Sequence, residues 1–459
     1  MFSPEGGAVS VCVEVIATPQ LGDRSYVVHD GSTAVVVDPQ RDVDRVDAVL
    51  DGVGLSCALV VETHVHNDYV TGGLVLARRT GADYVVAGGE HAAFSCRSLP
   101  DGATVQVGAM VLTAVATPGH TDGHAAYVVG SGDGPAVVFT GGSLLYGSVG
   151  RTDLVDPQRA EELARAQFRS ARRLAAALPS EALLFPTHGF GSFCSATPSS
   201  GDAGGTIGDE LLANGVFAED DETTFASRLV AGFVPYPRYY AHMGLLNLAG
   251  PGPVDLGRPA LVDGRGLRGC VDAGDWVVDM RDRASFAAGH LAGTLNVPLD
   301  DQFSTRVGSV MPWGSPLVLV GGSLEEIAAA QRQLSRIGID HPVAAAVRKP
   351  DTSDPELRSY PCASFEELAR ARRAGEPMVV LDVRERHERV AGAIPGSVHV
   401  PWTEVASMGR PAEQGRLWVH CAAGARAGVA ASVLARAGYD VVLVDDDYRG
   451  AVASGLATG

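Results

Sequence analysis

The chain of 459 residues is 46% hydrophobic and 20% charged, a length that allows about three domains and a composition that excludes disorder. Its formal net charge of −18 argues against a nucleic-acid partner or an anionic membrane surface, both of which require basic charge. Seven scattered cysteines (Cys12, Cys57, Cys96, Cys194, Cys270, Cys362 and Cys421) form no C-x-x-C pair; with no leader segment and no membrane-length apolar run, they predict a cytoplasmic protein without disulfides.

Residues 9–38 alternate apolar residues with Gly and Asp breaks and predict paired strands, among them 25–28 and 34–38. Residues 43–54 predict a helix packed on those strands. An apolar run, 58–61, then leads into Thr63-His64-Val65-His66-Asn67-Asp68-Tyr69. In extended backbone His64 and His66 project to one side, and a tight loop can bring Asp68 to the same point. Residues 71–80 predict a helix whose N-terminus lies beside this motif.

Residues 111–116, 136–140 and 182–185 read as strands that stop at Pro118-Gly119-His120, Gly141-Gly142-Ser143 and Thr187-His188-Gly189. Two histidines alone are more often ordinary surface or core residues. Four strands that each end in a turn, three of them carrying His, are what a metal site at one edge of a β-sandwich needs. A helix is expected over 157–178, and the irregular stretch 189–208 is too long for an ordinary connection and reads as a lid or rim. Another helix is expected over 223–232. Gly250-Pro251-Gly252-Pro253 is a linker that closes the first domain.

A repeat decides the remaining architecture. Val277-Val278-Asp279-Met280-Arg281-Asp282-Arg283 recurs as Val380-Leu381-Asp382-Val383-Arg384-Glu385-Arg386, and 317–340 aligns without a gap on 417–440. The expected division is 1–250, 255–350 and 355–459. The Asp-x-Arg pairs are expected to be structural. Cys421, between an apolar strand and a helix expected over 427–437, would face loop N–H groups, the helix N-terminus and Arg426, all of which lower a thiol pKa from its free value of about 8.5.

The first half resembles the metallo-β-lactamase superfamily, whose His-x-His-x-Asp-His, distant His, Asp and final His are met in order by His64, His66, Asp68, His120 and His188. Two positions depart from it: Tyr69 stands at the third motif histidine, and Gly142 stands at the metal-touching Asp. Each copy of the repeat resembles the rhodanese fold, and His420-Cys421-Ala422-Ala423-Gly424-Ala425-Arg426 matches its Cys-x-x-Gly-x-Arg loop. Gly321 and Glu326 replace Cys421 and Arg426 in the first copy, which is expected to be catalytically silent.

The implied fold class is α/β and α+β multidomain, an αββα sandwich followed by two rhodanese-like α/β domains. The combination is similar to the fused persulfide dioxygenases and sulfurtransferases, which implies one Fe(II) held by two His and a carboxylate, O₂ and a low-molecular-weight thiol persulfide or thiosulfate as substrates, and Cys421 and Arg426 as catalytic residues. The expected single site centres on His64, His66 and His120, with a second subsite left to Asp68 and His188 alone. Gly142→Asp is expected to complete the Fe(II) ligand set, unless His66, Asp68 or Asp122 already fills the gap. The alternatives are a Zn(II) thioester hydrolase similar to glyoxalase II, and a degenerate first domain that serves as scaffold for the sulfurtransferase. A homo-oligomer is compatible with the sequence.

Overall fold

The computed structural model describes residues 11–131, 135–197, 205–347, 357–408 and 415–457. Residues 1–10, read above for a leader, and 198–204, within the expected rim, lie outside the described residues. The chain forms two compact units, Met1–Val254 with Leu334–Gly338, and Asp255–Gln333 with Ile339–Gly459. No helix among the described residues is long and apolar enough to cross a membrane.

In the first unit a five-stranded sheet runs, in spatial order, Cys12–Thr18, Asp23–His29, Thr33–Val37, Ser56–Glu62 and Asp83–Val86. A six-stranded sheet runs Gly205–Thr206, Leu183–Pro186, Val137–Gly141, Ala125–Gly130, Met110–Ala116 and Thr104–Val107. Side chains alternate along each strand. Val28, Val35, Val37, Leu59 and Val61 meet Leu112, Tyr127, Val129 and Phe139 between the sheets. Their neighbours Val27, Val36 and Val60 pack outward on Val46, Leu50 and Leu76, from helices Asp44–Val53 and Gly73–Thr80. Across the molecule Val138 and Leu184 pack on Phe168, Ala171 and Leu174 of helix Ala160–Ala177. Burial on both faces is why these strands read as unbroken apolar runs, and each Val withdrawn from water contributes about 1.5–3 kcal/mol. The layers are helix, sheet, sheet, helix.

The second unit holds two parallel sheets. One orders Leu295–Asn296, Trp276–Asp279, Leu317–Gly321 and Ala344–Val347; the other orders Cys362–Ala363, Val441–Val444, Arg416–His420, Met378–Asp382 and Val398–His399. The Asp-x-Arg pairs do the same work in both copies. Arg281 Nη2 donates to Asp279 Oδ2 at 2.6 Å and to the Gly289 carbonyl at 2.9 Å, and Arg384 Nη2 donates to Asp382 Oδ2 at 2.8 Å and to the Gly392 carbonyl at 2.7 Å. Each pair ties a strand end to a turn.

Gly424, Gly428, Ser432 and Arg436 recur every four residues along helix Ala425–Arg436 and the turn before it, and this stripe meets the first copy. Arg283 Nε pairs with Asp445 Oδ1 at 2.5 Å beside Gly424, and a Cβ on Gly428 would lie 3.2 Å from that of Arg283. The Asn296 N–H donates to Ser432 Oγ at 3.0 Å, and Arg436 lies over the Trp276 ring.

Candidate metal centre and the cysteine loop

At one edge of the sandwich each strand runs out of apolar residues and gives way to polar ones that stay buried. His64 and His66 follow Ser56–Glu62, His120 follows Met110–Ala116, and His188 follows Leu183–Pro186; these histidines and Asp68 are at most 1% exposed. The ligand atoms of His64, His120 and His188 lie within 4.8 Å of one another.

Each of these three rings is held through Nδ1. His64 Nδ1 lies 2.9 Å from Thr63 Oγ1, His120 Nδ1 donates to the Arg151 carbonyl at 2.7 Å, and His188 Nδ1 lies 2.8 Å from Asp23 Oδ1. A carbonyl can only accept, so His120 carries its proton on Nδ1 and keeps a lone pair on Nε2. That Nε2 is buried with no hydrogen-bond partner among the described residues, and His64 and His188 bring their Nε2 atoms to 3.3 Å. The unpartnered His120 nitrogen is costly on its own, and one cation would satisfy it together with the two that face each other. Burial holds His64 below its ordinary pKa and takes His120 down to about 3, and the charges of neighbouring histidines add to both effects. The donors therefore fit a single ion of the Fe(II) or Zn(II) class.

His66 departs from the expected centre. Its Nε2 faces Asp38 Oδ1 at 3.2 Å, Glu62 Oε2 at 3.3 Å and the Tyr69 hydroxyl at 2.9 Å. Burial alone would lower its pKa, but Asp38 and Glu62 more than offset that and raise it to about 9. Tyr69, at the family's third motif histidine, thus helps turn His66 towards two acids, with only Nδ1 left near Asp68 Oδ1 at 4.0 Å. Asp68 also lies 3.2 Å from His188 Nδ1. Burial opposes the Asp68 carboxylate, yet the His188 charge holds it below the usual range. His66, Asp68 and His188 form a second possible ligand group, and Asp38, Glu62 and His66 a third.

Gly142 lies against the centre, as expected, but leaves no room for a side chain. Its N–H donates to His124 Nε2 at 3.0 Å, and a Cβ there would lie 2.2 Å from His120 Cδ2. The expectation that Gly142→Asp completes a ligand set is corrected by this packing. Asp122 does not fill the gap either, being exposed and paired to Arg159 at 2.9 Å.

Several supports escaped the sequence reading. Asn247, on helix Tyr240–Ala249, donates to the carbonyls of His66 and Tyr69 at 2.9 Å each and accepts from Thr71 N at 2.9 Å. Asp38 accepts from Thr63 N at 2.7 Å and from the Thr187 hydroxyl, joining two strand ends. Its place after four apolar residues was a signal of the same kind as the histidines gave. Nothing in the sequence singled out Asp23.

In the second unit Cys421 is buried, between strand Arg416–His420 and helix Ala425–Arg436, which begins two residues earlier than expected. Gly424 turns the loop with φ of +80°. Arg426 pairs twice with Glu388, at 2.5 and 2.8 Å. In the first copy a Cβ at Gly321 would lie 2.9 Å from Met280 Cε, and Glu326 Oε2 accepts from the Gly322 N–H at 2.7 Å. A carboxylate there occupies a loop N–H that an anionic sulfur ligand would need.

Comparison with known proteins accords with this geometry. Residues 364–453 match the rhodanese-like domain family. Over 242 residues, 52% of this chain and 80% of the relative, the protein is 27% identical to the human mitochondrial persulfide dioxygenase ETHE1. Over 181 residues, 38% of this chain and 68% of the relative, it is 31% identical to the hydroxyacylglutathione hydrolase of Acidiphilium cryptum. The solved metallo-β-lactamase of Staphylococcus aureus subsp. aureus COL matches with a TM-score of 0.65 at 24% identity, covering 74% of this chain and 100% of that one. That likeness establishes the fold.

Proposed function

The chain belongs to the metallo-β-lactamase fold family and carries a rhodanese-like domain at its C-terminal end, and from that premise we propose that it is a persulfide-metabolising enzyme, a metal-dependent persulfide dioxygenase coupled to sulfur transfer through Cys421. The observation that carries this reading is the presence on one chain of a buried three-imidazole cluster and a Cys-x-x-Gly-x-Arg loop. The resemblance to a persulfide dioxygenase supports it further.

In this reading His64, His120 and His188 hold one Fe(II), with His66 and Asp68 beside it. Bound there, the ion would supply the one-electron chemistry by which O₂ reacts with a persulfide sulfur. The protein's own part is to engage Nδ1 of each ring through the Thr63, Arg151 and Asp23 contacts, which turns Nε2 towards the ion's position. Burial excludes water from the cluster. At the second site the Cys421 thiolate attacks the outer sulfur of a persulfide. A new S–S bond forms, the old one breaks, and the carrier leaves as its thiolate, so Cys421 holds the sulfane sulfur. Arg426, fixed by Glu388, borders that loop.

The similarity to a hydroxyacylglutathione hydrolase supports a second reading, a Zn(II) thioester hydrolase. Tyr69 and Gly142 count against the two-metal form of such a site, because each removes a ligand. Metal analysis of anaerobically purified protein, with O₂ uptake on adding a persulfide, separates the two. Iron with uptake supports the dioxygenase; zinc with thioester cleavage and no uptake overturns it.

A further inference from the structure

A cavity of about 820 Å³ opens in the first unit beside the histidine cluster. Val65, between His64 and His66, and Thr121, next to His120, contribute to its floor. The cluster's own histidines do not line the cavity, which adjoins the candidate metal centre through these two neighbours. Tyr236 and Tyr240 form a wall, their rings stacked at 5.6 Å between centroids. At the rim Leu245 is 71% and Val155 52% exposed, apolar surface of the kind that a ligand covers.

The charges have one sign. Glu90 and Asp122 line the cavity, and the lining residues include no Lys or Arg; His91 is their one ionisable nitrogen. The cation attached to the wall is already engaged, since Arg159 binds Asp122 through two 2.9 Å contacts and Glu162 through contacts of 2.6 and 3.2 Å. That leaves one guanidinium shared between two carboxylates. A substrate bearing carboxylates of its own meets Glu90 and an Asp122–Arg159–Glu162 group whose carboxylates outnumber its cation, a net negative charge that an ammonium or an uncharged polar group is not repelled by. The paired tyrosine faces favour apolar or cationic groups in the same way.

We infer that this cavity is the binding site for the thiol carrier, and that it selects a carrier without carboxylates, uncharged or amine-bearing, over a dicarboxylate thiol of the glutathione type. The inference rests on the persulfide reading for its chemistry, but the selection is a property of the cavity alone. A net negative charge of this kind near a ligand carboxylate corresponds to roughly a tenfold loss in affinity at the effective dielectric of a half-open site.

The test is calorimetric binding of unreactive S-methyl thioethers to the intact, metal-loaded chain, which needs no turnover. S-methyl-N-acetylcysteamine and S-methylcysteamine are expected to bind about tenfold or more tightly than S-methylglutathione. In a Glu90→Gln, Asp122→Asn double variant, with folding checked by Tm, the gap should shrink to about threefold or less through tighter S-methylglutathione binding. Equal or tighter binding of S-methylglutathione to the unaltered chain overturns the inference, as does an unchanged gap in the double variant or no binding of any probe. If Arg238→Gln then abolishes S-methylglutathione binding, the exposed Arg238 between the two tyrosines is the anion site instead. Failure of the persulfide reading shows itself separately, as the expected binding order without O₂ uptake on any of the three corresponding persulfides.

Discussion

A Cβ on Gly142 would lie 2.2 Å from Cδ2 of His120. The strand end that could carry a ligating carboxylate is instead packed against the ring of a candidate ligand, and Gly150 closes on the same ring, where a Cβ would lie 2.6 Å from His120 Nδ1. Any side chain at 142 must displace His120. Gly142→Asp is therefore expected to lower metal occupancy, with Gly142→Ala lowering it comparably. Metal content per chain checks this, and a rise in iron on Gly142→Asp would mean that His120 can move aside and that the carboxylate ligates.

The roles of His188 and His66 separate in the same assay. His188→Ala removes one of three converging nitrogens and should cost metal as fully as His64→Ala. His66→Ala removes a buried imidazolium between Asp38 and Glu62, leaving two acids without their cation, and should cost about 3–5 kcal/mol of stability while metal is retained in the folded fraction. Denaturant midpoints and metal content measured together decide it. Loss of metal on His66→Ala with retention on His188→Ala reverses the assignment.

Much of this was legible because strand ends are. His64, His66, Asp68, His120 and His188 each follow an apolar run, and the sandwich turns those runs to one edge. Which nitrogen faces which partner was not legible. It depends on Asp23, Asp38 and Asn247, residues 41, 26 and 183 positions from His64, brought in by sheet pairing and a helix that no local pattern marks. The repeated α/β unit was legible from its internal alignment, while Glu388, the partner of Arg426, sits on helix Arg386–Val390, which no motif marked.

Asp382 gives a pH-dependent handle on the second unit. Burial alone would raise its carboxyl, but Arg384, with help from the His420 side, more than offsets this and holds it below the ordinary value. A carboxyl depressed on folding contributes stability that is present above its unfolded pKa of about 3.9 and is lost as pH falls through the lower folded value. Asp382→Asn should therefore cost about 3 kcal/mol at pH 7, with the gap to the unaltered chain narrowing below about pH 4. Urea midpoints across that range check the sign. A gap that widens with acid would mean that the pair is not what Arg384 contributes.

Sulfur transfer should depend wholly on Cys421, since the first copy has Gly321 at that position and Glu326 against its loop. Cys421→Ser is expected to abolish transfer to cyanide from thiosulfate and from the persulfide of an uncharged thiol alike, and full retention would mean that another cysteine carries the sulfur. Glu388→Gln tests the cation. Arg426 is bound through both terminal nitrogens to Glu388, so its charge is balanced before a donor arrives. Replacing the carboxylate by an amide of the same shape leaves that charge uncompensated at the loop, which favours a dianion over a singly charged persulfide. The KM for thiosulfate should fall several-fold, with a smaller change for the persulfide. If activity falls equally for both donors, Glu388 serves to hold Arg426 and the loop in place, and the guanidinium does not meet the donor.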